Sequence, residues 1–263
     1  MTEFFAALPM YDWQEARGEV DAEWAALRGR LCEQGIDAPA RLVRRNAEMP
    51  PVPGGIRDAA GHVIAADPAT LPPEELDLPT LWRHPALLFG QACWGPLELG
   101  LAGQVRVVGQ PDYSGYDGGK GELYASAILV RRDEVGTNLT PGAGGDGPGG
   151  LPLGAMRGAR LAYNSDDSMS GLIALRRDLE AVGESLAIFS DRIETGAHRA
   201  SVVALADEAA DVCALDCRTW DLARRFEPKA AAVAVAGWTR PRKGLPYISS
   251  LAAPAYSLFA EAG

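Results

Sequence analysis

Long apolar runs, positive charge and paired cysteines are all scarce in this 263-residue sequence. No stretch is apolar and long enough to span a bilayer, so no membrane insertion is expected. Basic residues number 25 against 35 acidic ones, a net charge of −10 at pH 7. A general binder of nucleic acids or anionic membranes is therefore not expected, and any anion must be held locally against an unfavourable overall field. The four cysteines (Cys32, Cys93, Cys213 and Cys217) lack zinc-like spacing. The C-x3-C of Cys213 and Cys217 is too little to define a metal site or a disulfide, so four free thiols, no metal and no cofactor are expected. The start, Met1-Thr2-Glu3-Phe4-Phe5, has neither the basic opening nor the long apolar core of a signal peptide. It predicts a cytoplasmic protein, or a periplasmic one if a presequence is missing.

What is present reads as ordinary globular composition, 47% hydrophobic and 23% charged, with length for one large domain or two lobes. Short apolar runs alternate with helical spacings. Strands are predicted at 4–10, 40–45, 85–91, 105–109, 123–130, 160–164, 189–194, 212–215 and 230–237. Helices are predicted over 15–34, with Val20, Trp24, Leu27 and Leu31 on one face, and over 97–101, 172–182 and 198–210. The Pro- and Gly-rich segment 49–80 reads as an irregular excursion, 134–150 as a flexible glycine-rich loop, and the residues after 248 as a short tail. The alternation predicts an α/β fold with a largely parallel sheet. The loop Pro111 to Gly121 suggests a phosphate-binding loop but fails the pattern, since Ser114 and Gly121 stand where glycine and Ser or Thr are needed.

The stretch with most chemistry is Ser168-Met169-Ser170-Gly171, between the strand ending at Asn164 and the helix beginning at Leu172. The first turn of a helix carries unpartnered N–H groups and partial positive charge. Hydroxyls and a glycine placed there let an anion approach and add donors. The plainer reading makes Ser168 or Ser170 an N-cap. A second junction of the same kind lies at Gly196-Ala197-His198, about one βα unit on. In an open α/β sheet such helix starts share the carboxyl edge of the strands.

These residues, with Tyr124-Ala125-Ser126, Thr195 to Ser201 and Ala210 to Asp216, resemble in order and spacing the PhnD-like substrate-binding proteins of phosphate, phosphite and phosphonate ABC transporters. Leu8 to Asp12, Gln91-Ala92-Cys93 and Gly244 to Tyr247 resemble a branch of that family without an evident signal peptide. The resemblance implies the type II periplasmic-binding-protein fold. Two α/β lobes would enclose a ligand cleft, with lobe 1 at 1–124 and 236–263 and lobe 2 at 125–235. It implies a small anionic ligand, an ABC transporter permease as partner, and an oxyanion held by the Ser-x-Ser-Gly and Gly-x-His helix starts. The ligand-binding set would be Tyr11, Cys93, Trp94, Tyr113 and Tyr124 from lobe 1. From lobe 2 it would be Ser126, Ser168, Met169, Ser170, Gly171, Gly196, His198 and Asp216. Where aminophosphonate binders carry acids, this chain has Arg218 and Arg242-Lys243, so a cationic ligand tail is disfavoured.

Two other readings compete with this one. An enzyme on the same fold would act on a small carboxylate through His198 with Asp216, or through Cys93. A cytoplasmic sensor would bind without transport. No nucleophile, base and orienter can be matched by spacing, so no catalytic residue is assigned.

Overall fold

The computed structural model describes residues 3–133 and 150–259; the glycine-rich stretch expected to be flexible falls, but for its last residue, outside them. The chain forms two compact units, residues 1–111 with 245–263 and residues 112–244.

The first unit opens with β1 (Phe5–Ala7) and α1 (Arg17–Glu33). Helix α1 buries Val20, Trp24, Leu27 and Leu31, the predicted face, and stops at Gly35, whose φ of +76° suits glycine. The segment 40–45 is not a strand. It makes a single bridge, Leu42 to Ala6, because Arg44 then turns away to pair with Asp12 at 2.7 Å and Asp21 at 2.8 Å. The excursion 49–80 contains a small hairpin, β2 (Ile56–Arg57) with β3 (Val63–Ala65), and leads into α2 (Leu78–Arg83). Next come the wholly buried β4 (Leu87–Gln91), α3 (Trp94–Glu98) and β5 (Val105–Gly109). The helix predicted at 97 thus starts three residues earlier.

The second unit holds β6 (Gly119–Lys120), β7 (Leu123–Tyr124), β8 (Ser126–Arg131), α4 (Leu153–Met156) and β9 (Arg160–Tyr163). A wide π-helical turn, Met169–Ile173, runs into α5 (Ala174–Glu180). Then follow β10 (Asp191–Glu194), α6 (His198–Ala206), β11 (Val212–Asp216), α7 (Cys217–Phe226), β12 (Val233–Trp238) and β13 (Arg242–Lys243). Helix α7 is absent from the sequence reading. Its signal was Asp216-x-x-Thr219, a side-chain cap ahead of Trp220, Leu222 and Ala223, which it buries.

The chain returns to the first unit as β14 (Tyr247–Ser250). It is a fully buried strand inside the sheet β1-β4-β14-β5, and only its last two residues fall in the stretch expected to be a tail. It is antiparallel to both β4 and β5, while β1 and β4 are parallel. The second unit's sheet, β10-β9-β11-β8-β12, is also mixed: β10, β9 and β11 run parallel, and β8 is antiparallel to β11 and β12. The largely parallel sheet of the sequence reading is therefore corrected. The crossover strand β8 and the return strand β14 run against their neighbours.

Strand periodicity gives the first sheet two covered faces. Ala6 and Leu8 pack with the face of α1, whereas Phe5 and Ala7 pack with Leu81 and Trp82 of α2 and Leu97 of α3. In the second unit Ile128, Leu161 and Val212 pack against Leu172, Leu175 and Leu179. The segments 112–124 and 236–244, placed in lobe 1 by sequence, lie in the second unit. The strand pairing β13-β7-β6 holds them there.

A buried histidine braces the first unit. Nδ1 of His84 accepts from the Ala86 N–H at 3.0 Å, so Nε2 carries the proton and donates to the Pro50 carbonyl at 2.8 Å. Burial lowers its pKa below the usual 6.5. Protonation would set an N–H against the Ala86 N–H. Because the unfolded chain then binds more protons than the folded one, stability is full above the unfolded pKa. It falls as pH drops below about 6.5, by at most about 1.4 kcal/mol per pH unit. Urea unfolding of the wild type and His84→Gln between about pH 7.5 and about pH 5.5 checks this: the wild type should lose more stability over the interval, and parallel losses would refute it.

Candidate functional site

The three parallel strands β10, β9 and β11 end on one edge of the second sheet, and the chain turns there into α5, α6 and α7. Each turn is built differently.

After β9, Asn164 leads to Ser168, whose hydroxyl oxygen accepts from the Gly171 N–H at 3.0 Å. Ser168 is thus the N-cap of the wide turn, and its carbonyl accepts from both Leu172 and Ile173. Ser170 is not a cap. It is buried. Gly171 is required by packing: a Cβ there would sit 2.0 Å from Asn164 Oδ1 and 3.1 Å from Ser168 Oγ. Asn164 Oδ1 is itself buried with no hydrogen-bond partner among the described residues.

After β10, Gly196 takes a φ of +79° that a side chain would resist, and Ala197 is extended. Thr195 braces the turn, its hydroxyl bonding the Tyr163 carbonyl at 3.0 Å and Ser201 Oγ at 2.7 Å. His198 is then the first residue of α6, which has no side-chain cap.

The two helix starts meet directly: Ser170 Oγ lies 3.1 Å from His198 Nε2. Nδ1 of His198 is buried and has no partner among the described residues. Burial lowers its pKa, and the Asp216 carboxylate only partly opposes this, so the imidazole is neutral near pH 7. After β11, Asp216 caps α7, accepting from Thr219 N at 2.9 Å and Thr219 Oγ1 at 2.7 Å. Ser126 stands opposite Asp216 in the β8–β11 register, and Thr239 Oγ1 accepts from the Ser126 N–H at 2.8 Å. Ser126 Oγ, also buried, has no partner among the described residues.

Of the predicted set, Ser126, Ser168, Met169, Ser170, Gly171, Gly196, His198 and Asp216 therefore lie on these turns and the adjoining strand. Tyr11, Cys93 and Trp94 are in the first unit. Tyr11 ends a single 3-10 turn, and Cys93 precedes the short α3. Tyr113 and Tyr124, assigned to lobe 1 by sequence, belong to the second unit. Their rings are 5.4 Å apart. Tyr113 is fully buried against Gly244, where a Cβ would lie 2.0 Å from its ring.

The expected rim cations also change. Arg242 pairs with the buried Asp178 of α5, which also accepts from the Arg240 N–H at 2.7 Å. Its charge is balanced inside the unit. The Arg218 guanidinium lies 5.9 Å from the centre of the Tyr116 ring, near the start of α7. The four cysteines are free thiols, and burial raises the pKa of Cys213 and Cys217. No cluster of metal-ligating side chains occurs among the described residues, and none of their helices is long and apolar enough to cross a membrane. The sequence reading left Thr195, Ser201, Thr219 and Thr239 out of the site. Of these only Thr219 had a local signal, its spacing from Asp216.

No family model and no curated protein sequence matches the chain. Solved structures do. PhnD1 from Prochlorococcus marinus, in complex with methylphosphonate, aligns with a TM-score of 0.59 at 14% identity, over 95% of this chain and 77% of that one. A binding-protein component of a phosphonate ABC transporter from Pseudomonas aeruginosa gives 0.56 at 11% identity, over 94% and 68%. A Xanthomonas citri protein bound to chloride gives 0.55 at 14% identity, over 95% and 78%. The fold is thus the α/β fold of the two-lobe type II periplasmic binding proteins, as the motif order implied.

The contact between Asn164 and Gly171 is testable. Gly171→Ala should expel the Asn164 amide and cost about 1–3 kcal/mol of stability, as overpacking does. Gly171→Ala combined with Asn164→Ala should recover most of that loss in thermal unfolding. Absence of recovery would place the strain elsewhere.

Proposed function

We propose that the chain is a small-anion binding protein of the phosphate or phosphonate type, serving an ABC transport system. The observation that carries this reading is the bond between Ser170 and His198, which brings two helix N-termini together on one sheet edge. Each start contributes unpaired N–H groups and partial positive charge. The burial of Ser170 strengthens any bond to an anion there, because water competes less. With Ser168 already spent as the cap, Ser170 is the hydroxyl left to face a ligand. The fold shared with phosphonate-binding components supports the same assignment.

The geometry does not favour the reading as an enzyme acting through His198 with Asp216 or through Cys93. In a Ser-His-Asp triad the histidine Nδ1–H donates to the carboxylate, which holds the ring in its working tautomer. Here Nδ1 of His198 has no hydrogen-bond partner among the described residues, and the Asp216 carboxylate is engaged with Thr219. Cys93 is buried beside a five-residue helix.

A hydrogen bond to a charged group contributes about 1.5–3 kcal/mol, so Ser170→Ala should weaken methylphosphonate binding roughly ten- to a hundredfold in calorimetry. Ser168→Ala should instead lower the melting temperature, since a lost cap costs about 1 kcal/mol. Unchanged affinity in Ser170→Ala would refute the assignment. With Arg218 near the start of α7, a ligand ammonium would meet like charge. In a thermal-shift comparison 2-aminoethylphosphonate should therefore stabilise the protein less than methylphosphonate at equal concentration. The reverse order would remove Arg218 from the binding region.

A further inference from the structure

We propose that Gln91 is a ligand contact of the first unit: its buried side-chain amide donates a hydrogen bond to an oxygen of the bound small anion. The inference rests on the reading of the chain as a small-anion binding protein.

Gln91 ends β4, a strand whose other residues are Leu87, Leu88, Phe89 and Gly90. It is 2% exposed, yet its Nε2 has no hydrogen-bond partner among the described residues. Its backbone, in contrast, is fixed. The Gln91 carbonyl accepts from the Trp82 indole N–H at 2.9 Å, and Gln91 pairs with Tyr247 of β14 in the sheet register. The next residue, Ala92, donates its N–H to the Pro246 carbonyl at 3.1 Å. The amide thus does not belong to a frayed strand end. A methionine would fill a similar volume without burying a polar group. An unpartnered buried donor is rare and costly, and a partner that arrives later accounts for it.

The topology points to a ligand as that partner. Strands β1 and β4 are parallel, so both end on one edge of the first sheet. From β1 the chain passes through α1 to Leu42, which bridges Ala6 in parallel. Ala6 is also the partner of Phe89 in β4, so Leu42 and β4 flank β1 on opposite sides. The direction of the connections therefore reverses between β1 and β4. In an open α/β sheet, ligands bind outside the carboxyl ends of the strands at such a reversal. Gln91 stands at that point. The other orphaned side-chain atoms of this unit do not: Thr80 lies within α2, and Gln104 and Arg106 lie at the start of β5. Strands β4 and β5 both run against β14, which puts the start of β5 on the opposite edge. An amide N–H requires an acceptor, and a charged oxygen is the strongest acceptor a small anion offers.

Gln91→Met keeps the length of the side chain and removes the amide. Calorimetry with methylphosphonate, run beside Ser170→Ala, and the melting temperatures of the ligand-free proteins test the inference. Gln91→Met should lose about tenfold or more in affinity. Its ligand-free melting temperature should stay level or rise, since removing an unpaired buried polar group is neutral or stabilising. Unchanged affinity overturns the inference. So does a lower melting temperature of the free variant, because the amide would then already be bonded in the free protein. If Ser170→Ala loses affinity and Gln91→Met does not, this inference alone fails. If methylphosphonate does not bind the wild type, the anion-binding reading fails and this inference with it.

Discussion

The 3.1 Å contact between Ser170 and His198 is the constraint from which the chemistry of the second unit follows. A sheet edge where parallel strands turn into helices presents several sets of unpaired N–H groups, but separate helix starts are only weak anion attractors. In the proposed anion site, a buried hydroxyl and an imidazole join two of them into one region of donors. The neighbouring features serve that join. The wide π-helical turn carries Ser170, Gly171 makes room for Asn164, and Gly196 with the Thr195–Ser201 bond shapes the turn into α6.

That join sits in a chain of net charge −10, which makes the local treatment of charge informative. Several arginines of this unit are matched by carboxylates. Arg242 is matched by Asp178, Arg199 by Glu227, and Arg131 and Arg160 by Asp211. The groups on the turns after β9 and β10 are backbone dipoles, hydroxyls and a histidine. Such groups are directional, and they discriminate by geometry and protonation state more than a point charge does.

The two sheets reach a related topology by antiparallel insertion. In each unit one strand that arrives from a distant part of the chain, β8 or β14, runs against its neighbours. In the second unit this matters for the site, because β8 sets Ser126 opposite Asp216 and ties Thr239 behind it. The edge carrying the helix starts is thus braced by a strand whose own residues lie far away in sequence.

Local information determined a good deal of this. The face of α1, strand β5, and the two small-residue helix starts at Ser168–Gly171 and Gly196–His198 were legible because spacing, caps and glycines act over a few residues. The order of those motifs carried the fold class. What only the tertiary structure decided depends on long-range pairing. Strand β14 forms because partners on both sides supply its hydrogen bonds, which no local pattern in Tyr-Ile-Ser-Ser reveals. Tyr113 packs on Gly244, and Arg242 pairs with the buried Asp178, across large sequence separations. The division of labour between Ser168 as cap and Ser170 as partner of His198 could not be read from a motif in which both serines look alike. It is set by the width of the turn and by where a second helix happens to begin.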